Sequence, residues 1–363
     1  RLLNAMDGSI RLLIPARGSE NDVVQILFLQ VGNINGLALQ VVHRNIEKAL
    51  NLRCVEIDRQ HPTGARGRDQ IRDQLGFLVD RIMGEGSLYA PELAALAIKQ
   101  ARGDTFESAF ILRAFRTTQP RLGYSLSNNT RNMRVVRRIS SAFKDIPGGQ
   151  ILGSTDDYSL RLVNFDLVED RSENHQKVVS ELLEEARIGA PLPESFPKLV
   201  DLLRREGLLE EGDRSEETIE DITRHSLKIP ASRSAALQTL TRGESGGLLC
   251  LAYSNMRGYG SVHPTIGELR VGYVPVEVQH PHTGSSYCIG EVLVTEAEII
   301  SKSYSDNDSP KMTLGYGLCY GHNETKAISM GVLDRAIQSD NPRSPSEDEE
   351  YVLSHVDGIE SMG

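Results

Sequence analysis

Apolar residues recur at helical spacing early in the chain and at strand spacing late in it. In "RDQIRDQLGFLVDRIMGEG", Ile71, Leu75, Leu78 and Ile82 follow at intervals of four, three and four, which places them on one helix face. Gly84 and Gly86 close that pattern. "APELAALAIKQARGD" begins with Pro91 in a first-turn position and ends at Gly103, where a second helix stops. Asp104 is placed to cap a third, whose Phe106, Phe110 and Ala114 recur every four residues. A fourth helix is predicted over "RNMRVVRRISSAFKDIPGG", with Met133, Val136, Ile139 and Phe143 as its apolar side. Arg134, Arg137, Arg138 and Ser141 form another side, read either as a solvated basic face or as a surface for an anion or acidic partner. Pro147 and the Gly148-Gly149 pair end this helix at Ile146.

Strand spacing takes over in "GELRVGYVPVEVQHPHTGSSYCIGEVLVTEAEII", which predicts two antiparallel strands joined through "HPHTGSS". A helix, "ETKAISMGVLDRAIQSD", follows "TLGYGLCYGH", and an acidic turn lies in "SPSEDEEYVLSH". Helices first and strands later imply an α+β fold, a helical N-terminal half followed by a C-terminal region of antiparallel strands and helices. Four regions result. Residues 1–68 are unassigned beyond one strand-sized run, "VVQILFLQVG", and 69–168 read as helical. Residues 169–230 read as a variable acidic insert or linker, with two short amphipathic helices around "GAPLPESFP". Residues 231–363 form the α+β region, with candidate anion-binding loops.

Composition narrows the class. A chain of 363 residues, 25% charged and 39% hydrophobic, fits a globular protein with substantial cores. The formal charge of -10 disfavours generic nucleic-acid binding, which draws its affinity from a basic face. No apolar run approaches the roughly 20 residues of a spanning helix, so no membrane role is expected. The first residues lack a secretory pattern, and a cytoplasmic location is expected. Cys54, Cys250, Cys288 and Cys319 are scattered without a C-x-x-C pair, which argues against a disulfide framework or a cysteine-built metal site. The absence of any Gly-Lys dipeptide excludes a Walker-type phosphate loop. The Gly-x-Gly pairs at 258/260 and 315/317 lack the third glycine of the dinucleotide fingerprint. Neither an H-E-x-x-H helix nor a hydrolase nucleophile elbow is expected.

Candidate chemistry concentrates in "RGYGSVHPTIGELRVGY". His263 precedes Pro264, which holds its backbone extended, and its ring suits a general acid or base, phosphate binding or a structural turn. Arg257 and Arg270 suit forked contact with phosphate oxygens, and equally a structural bridge to Glu268 or Glu291. On a strand Glu296 and Glu298 share a face, with Glu291 on the other. Such carboxylates serve acid–base work or magnesium, or are merely solvated strand-edge charges. His280 and His282 flank Pro281 at a spacing that fits a metal site or a turn.

Several blocks are more telling together: "ELAALAIKQARGD", "ILRAFRTT", "RRISSAFKDIPGGQILGSTDDYSLRL", "SRSAALQTLTRGE", "LLCLAYSNMRGYGSVHPTIGELRVGY", "GEVLVTEAE" and "GYGLCYGHNETKAISMGVLDRAI". In this order they resemble the PhnI family of the bacterial carbon-phosphorus lyase machinery, from about Asp69 to the end and most weakly across 169–220. The resemblance implies an enzyme subunit. With PhnG, PhnH and PhnL it displaces adenine from MgATP with an alkylphosphonate, giving ribose 1-alkylphosphonate 5-triphosphate; alone it acts as a purine nucleosidase on ATP or GTP. It also implies a core assembly with PhnG, PhnH and the radical-SAM subunit PhnJ. The alternative is a non-catalytic scaffold organising PhnG, PhnH and PhnJ.

Breaking a glycosidic bond requires a proton donor for the base, carboxylates near the sugar and cations with Mg2+ on the triphosphate. On that basis Arg257, Gly258, Gly260 and Arg270 are expected to form an anion pocket, with Lys144, Gly148 and Gly149 of "KDIPGG" as a second. His263, Glu268, Glu291 and Glu296 are the candidate catalytic groups. Residues 1–68 bear no likeness to the family's N-terminal segment. The family's C-terminal tail, whose histidine pair binds metal beside PhnJ, has no counterpart before Gly363, so the zinc-type site is expected to be absent.

Overall fold

Pro91 and Asp104 begin helices where the sequence predicts them. In the computed structural model the described residues are 67–153, 162–163, 165, 196–210, 219–259, 263–280, 282–302, 311–339 and 341–356, together with the backbone of two strands, β1 (Arg11–Leu13) and β2 (Val23–Leu29). The apolar stripe near Ile71 divides into α1 (Arg68–Gln74) and α2 (Gly76–Gly86). Pro91 sits in the first turn of α3 (Pro91–Gln100), and Asp104 accepts a hydrogen bond from the Glu107 N–H to cap α4 (Thr105–Thr117). β3 (Arg121–Asn129) then pairs with β2.

The next element corrects the sequence reading. Residues 134–139 are not helical: β4 (Arg134–Ile139) runs antiparallel to β5 (Thr265–Gln279), with Arg138 opposite Arg270. Val135, Val136 and Ile139 favour a pleated strand, and the edge of β5 supplies ladder partners that local helical periodicity does not register. Arg137 and Arg138 are not part of a solvated face either, since both are buried, whereas Arg134 is exposed. Neighbouring strand residues point to opposite faces, so this pair serves two different places.

The predicted hairpin is longer than expected and forms the middle of a four-stranded antiparallel sheet ordered β4-β5-β6-β7. β6 (Ser286–Lys302) pairs with β5 from Thr265↔Ile300 to Gln279↔Ser286, and β7 (Met312–Tyr320) lines its other side. One face packs under α8 (Glu324–Ala336). There a Cβ on Gly317 would lie 2.0 Å from the Ala327 carbonyl, so glycine lets helix and strand backbones meet. Leu269, Ala297 and Ile299 join that core with α6 (Arg233–Arg242), α7 (Ser245–Ser254) and α9 (Glu349–His355). A second core joins α1–α4 to the outer hairpin through Val274, Val276, Val292 and Val294. Across the sheet from α8 lies α5 (Leu199–Arg205), the second helix predicted in the 169–230 region; the first falls outside the described residues.

Candidate functional site

Alternation along β5 and β6 turns Glu268, Arg270, Glu296 and Glu298 away from α8, onto the face that α5 covers. All four are buried, which removes the reading of Glu296 and Glu298 as solvated edge charges. Arg270 is ion-paired with Glu296, and Lys198, at the start of α5, reaches Glu296 Oε1 and Glu298 Oε1, each at 2.9 Å. Thr130 Oγ1 and the Tyr316 hydroxyl donate to Glu296 Oε1 at 2.7 and 2.8 Å. Arg138 is ion-paired with Glu268, whose other oxygen accepts the Leu199 N–H at 2.9 Å. Three cations thus face three carboxylates. Burial works against charge on Glu296, but Arg270 and Lys198 outweigh it and hold the carboxyl well below the usual range. For Arg270 burial is likewise opposed, by Glu296, Glu268 and Glu298, and its protonated form is strongly favoured.

This network reaches the "KDIPGG" turn. Arg138 Nη1 donates to the Pro147 and Gly149 carbonyls at 2.6 and 3.0 Å, and Nη2 donates to the Pro197 carbonyl at 2.7 Å. Gly148 and Gly149 adopt φ of +83° and +79°, which lets the turn double back on the guanidinium. The Gly149 N–H is bonded to the Ile146 carbonyl, and Lys144 is exposed.

The remaining predicted residues lie apart from the network. Arg257 is exposed in a π-helical turn, Asn255–Tyr259, that continues α7, with its guanidinium 5.5 Å from the Tyr253 ring centre. Gly258 shares that turn, whereas Gly260 lies outside the described residues. His263 is exposed just ahead of β5. Glu291 is exposed on β6, bound by Arg134 at 2.7 Å. His280 Nδ1 accepts the Thr283 N–H at 3.1 Å, the geometry of a turn histidine. Among the described residues no three His, Cys, Asp or Glu side chains gather as a metal site, and no helix is long and apolar enough to cross a membrane. The stretch Gly243–Gly247 has the G-x-S-x-G spacing, but Ser245 opens a helix that follows another helix, and its hydroxyl donates to buried Glu85 at 2.7 Å. Glu244 caps that helix and Ser245 lies in its first turn, without the strand-to-helix corner of a nucleophile elbow.

A second polar group, on the α8 side of the sheet, was not evident from sequence. Arg137 Nε donates to Glu324 Oε1 at 2.6 Å, and His322 Nε2 lies 2.7 Å from the same oxygen. Asp80 Oδ2, from α2, accepts the His322 N–H at 2.9 Å. Burial raises Asp80 above its ordinary value, only partly offset by that N–H. Burial also opposes ionisation of Glu324, yet the hydrogen bonds from His322 and Arg137 hold it below the ordinary value. The one signal in the chain is an aspartate interrupting an otherwise apolar helix, "LVDRI", matched by the "GHNE" start of another.

Comparison with known proteins agrees with the resemblance. A family described as "Bacterial phosphonate metabolism protein (PhnI)" matches residues 37–363, beginning ahead of Asp69. The "Putative C-P lyase subunit protein HtxH" of Stutzerimonas stutzeri is 54% identical over 317 residues, 86% of this chain and 84% of that protein. The "Alpha-D-ribose 1-methylphosphonate 5-triphosphate synthase subunit PhnI" of Escherichia coli (strain K12) is 43% identical over 299 residues, covering 81% of this chain and 82% of its own. Its Rhizobium meliloti (strain 1021) counterpart is 42% identical over 302 residues, covering 81% and 79%. With a family match over most of its length and relatives this similar, the chain belongs to the PhnI family of bacterial phosphonate metabolism proteins.

Proposed function

We propose that this chain is the subunit that displaces adenine from MgATP with an alkylphosphonate, yielding ribose 1-alkylphosphonate 5-triphosphate, and that alone it releases purine from ATP or GTP. The observation that carries this reading is the identity of 42% and 43% to two proteins whose names specify that synthase. It works in the cytoplasm beside PhnG, PhnH, PhnL and PhnJ. Exposed Arg257 and His263 flank the glycine-rich loop, where a triphosphate with its magnesium meets a cation and backbone N–H groups. Glu268, Arg270 and Glu296 hold together the sheet whose strand β5 begins just after His263.

The decisive experiment incubates the purified chain, alone and with PhnG, PhnH and PhnL, with MgATP and methylphosphonate. Free adenine and the ribose 1-phosphonate product are then followed by chromatography and mass spectrometry. Adenine without phosphonate and product with it are expected; release of inorganic phosphate in place of adenine would overturn the reading. A non-catalytic scaffold is favoured by one observation, the burial of Glu268, Arg270 and Glu296 in mutual ion pairs. That reading requires adenine release by the companions without this chain.

A further inference from the structure

We propose that Phe77, Asp80, His322 and Glu324 form the base-binding end of the nucleotide site, with His322 as the acid that protonates the departing purine. This rests on the nucleotide reading above and assigns it residues that the glycine-rich loop does not contain.

The geometry is that of a held proton donor. Glu324 takes His322 Nε2 and is itself fixed by Arg137, which leaves Nδ1 without a hydrogen-bond partner among the described residues. A carboxylate behind an imidazole fixes the ring and orients its free nitrogen. Asp80 presses against Gly321, where a Cβ would fall 2.4 Å from its own Cβ and where φ is +74°, so only glycine lets the two elements close this far. Asp80 Oδ1 lies against Gly321 and has no hydrogen bond among the described residues, and we assign it as an acceptor for an amino or ring N–H of the base.

Phe77 supplies the apolar wall. Its ring is 63% exposed and stands edge-on to His322, with centroids 5.1 Å apart. An exposed aromatic face beside a donor and an acceptor matches a purine, a flat ring edged with both kinds of group. The environments of the two carboxylates also diverge, Asp80 being raised by burial and Glu324 lowered by its hydrogen bonds from His322 and Arg137 despite burial. The other charged groups at this site come from β4 and α8, namely Arg137 and Lys326, with Tyr89 and Cys319 also within electrostatic reach of Asp80.

In the step itself the bond between ribose C1 and the purine nitrogen breaks with its electron pair passing to the base. The proton on His322 Nδ1 transfers to a purine nitrogen, and a phosphonate oxygen donates the pair that forms the new bond to C1. Solvent then reprotonates the imidazole.

The test uses the assembled subunits and two substrates, MgATP and a ribose 5-triphosphate carrying p-nitrophenolate at C1, a leaving group that needs no proton. His322→Gln is expected to slow adenine release about 100-fold and to change p-nitrophenolate release by less than about threefold. Phe77→Ala, a surface change, is expected to raise the KM for ATP about tenfold with kcat retained. Equal losses on both substrates, or unchanged adenine release, would overturn the assignment of His322. An unchanged KM in Phe77→Ala would remove the base from this end of the site. A wild-type assembly that releases no adenine overturns the nucleotide reading, and this inference with it; wild-type release with an indifferent His322 variant overturns this inference alone.

Discussion

Lys198 Nζ lies 2.9 Å from Glu298 Oε1, with neither side chain more than 2% exposed, and the same ammonium reaches Glu296. A short helix within the 169–230 region is thereby fastened to the centre of the sheet. Removing the cation while both carboxylates stay buried leaves uncompensated negative charge, which is far more damaging than never having had the pair. Lys198→Met is expected to lower the unfolding free energy by about 3–5 kcal/mol in urea titrations. Adding Glu298→Gln to that variant removes one of the stranded charges and is expected to recover part of the loss.

The same network sets the response to acid. Glu296 is held below the ordinary glutamate value of 4.5, against the effect of burial, by Arg270 and Lys198. A depressed folded-state value means that its contribution is complete above about pH 4.5 and is lost as pH falls toward the folded value. Melting temperature measured from pH 6 downward is expected to fall through this range, and Glu296→Gln is expected to be less stable at pH 6 but to show a shallower decline. A decline of equal slope in the variant would place the acid sensitivity elsewhere.

Much of this architecture was legible because it is local. The α2 stripe, Pro91, the Asp104 cap, the β5–β6 hairpin and the shared face of Glu296 and Glu298 each follow from residues near one another in sequence. β4 was not legible, because its valines and arginines satisfy a helical period equally well and only β5, more than a hundred residues later, decides between them. The partners of Arg137, Arg138 and Arg270 were hidden for the same reason. A charge run looks solvated until the carboxylates that bury it are in place. Asp80 and His322 share a site only because α2 packs against the turn leading into α8, a contact that spacing along the chain does not encode.

Helix α8 and strand β7 meet backbone to backbone at two glycines of the strand. A Cβ on Gly317 would stand 2.0 Å from the Ala327 carbonyl, and one on Gly315 would stand 2.0 Å from the Gly331 carbonyl. Backbone atoms cannot rotate aside as a side chain would, so a methyl at either position must push the helix off the sheet. Gly317→Ala is expected to destabilise by about 1–3 kcal/mol or more, seen as a lower melting temperature. Because α8 begins with Glu324, it is also expected to reduce adenine release. Gly76, which has open space around its Cβ position and no positive φ, serves as the control for glycine replacement away from a packed contact.

Arg257 and His263 allow the glycine-rich loop to be tested without disturbing the fold, since both side chains are exposed and neither belongs to the buried network. If Arg257 pairs with triphosphate oxygens in the bound and reacting states alike, its loss weakens binding uniformly. Arg257→Ala is then expected to raise the KM for ATP about tenfold with little change in kcat, and added salt should narrow the difference between variant and wild type. His263→Ala is expected to act differently, mainly slowing turnover, if its ring handles a proton during the reaction. Both variants should keep the wild-type melting temperature. Wild-type kinetics in both would remove this loop from the nucleotide site and leave the group around Asp80 and His322 as the place to look.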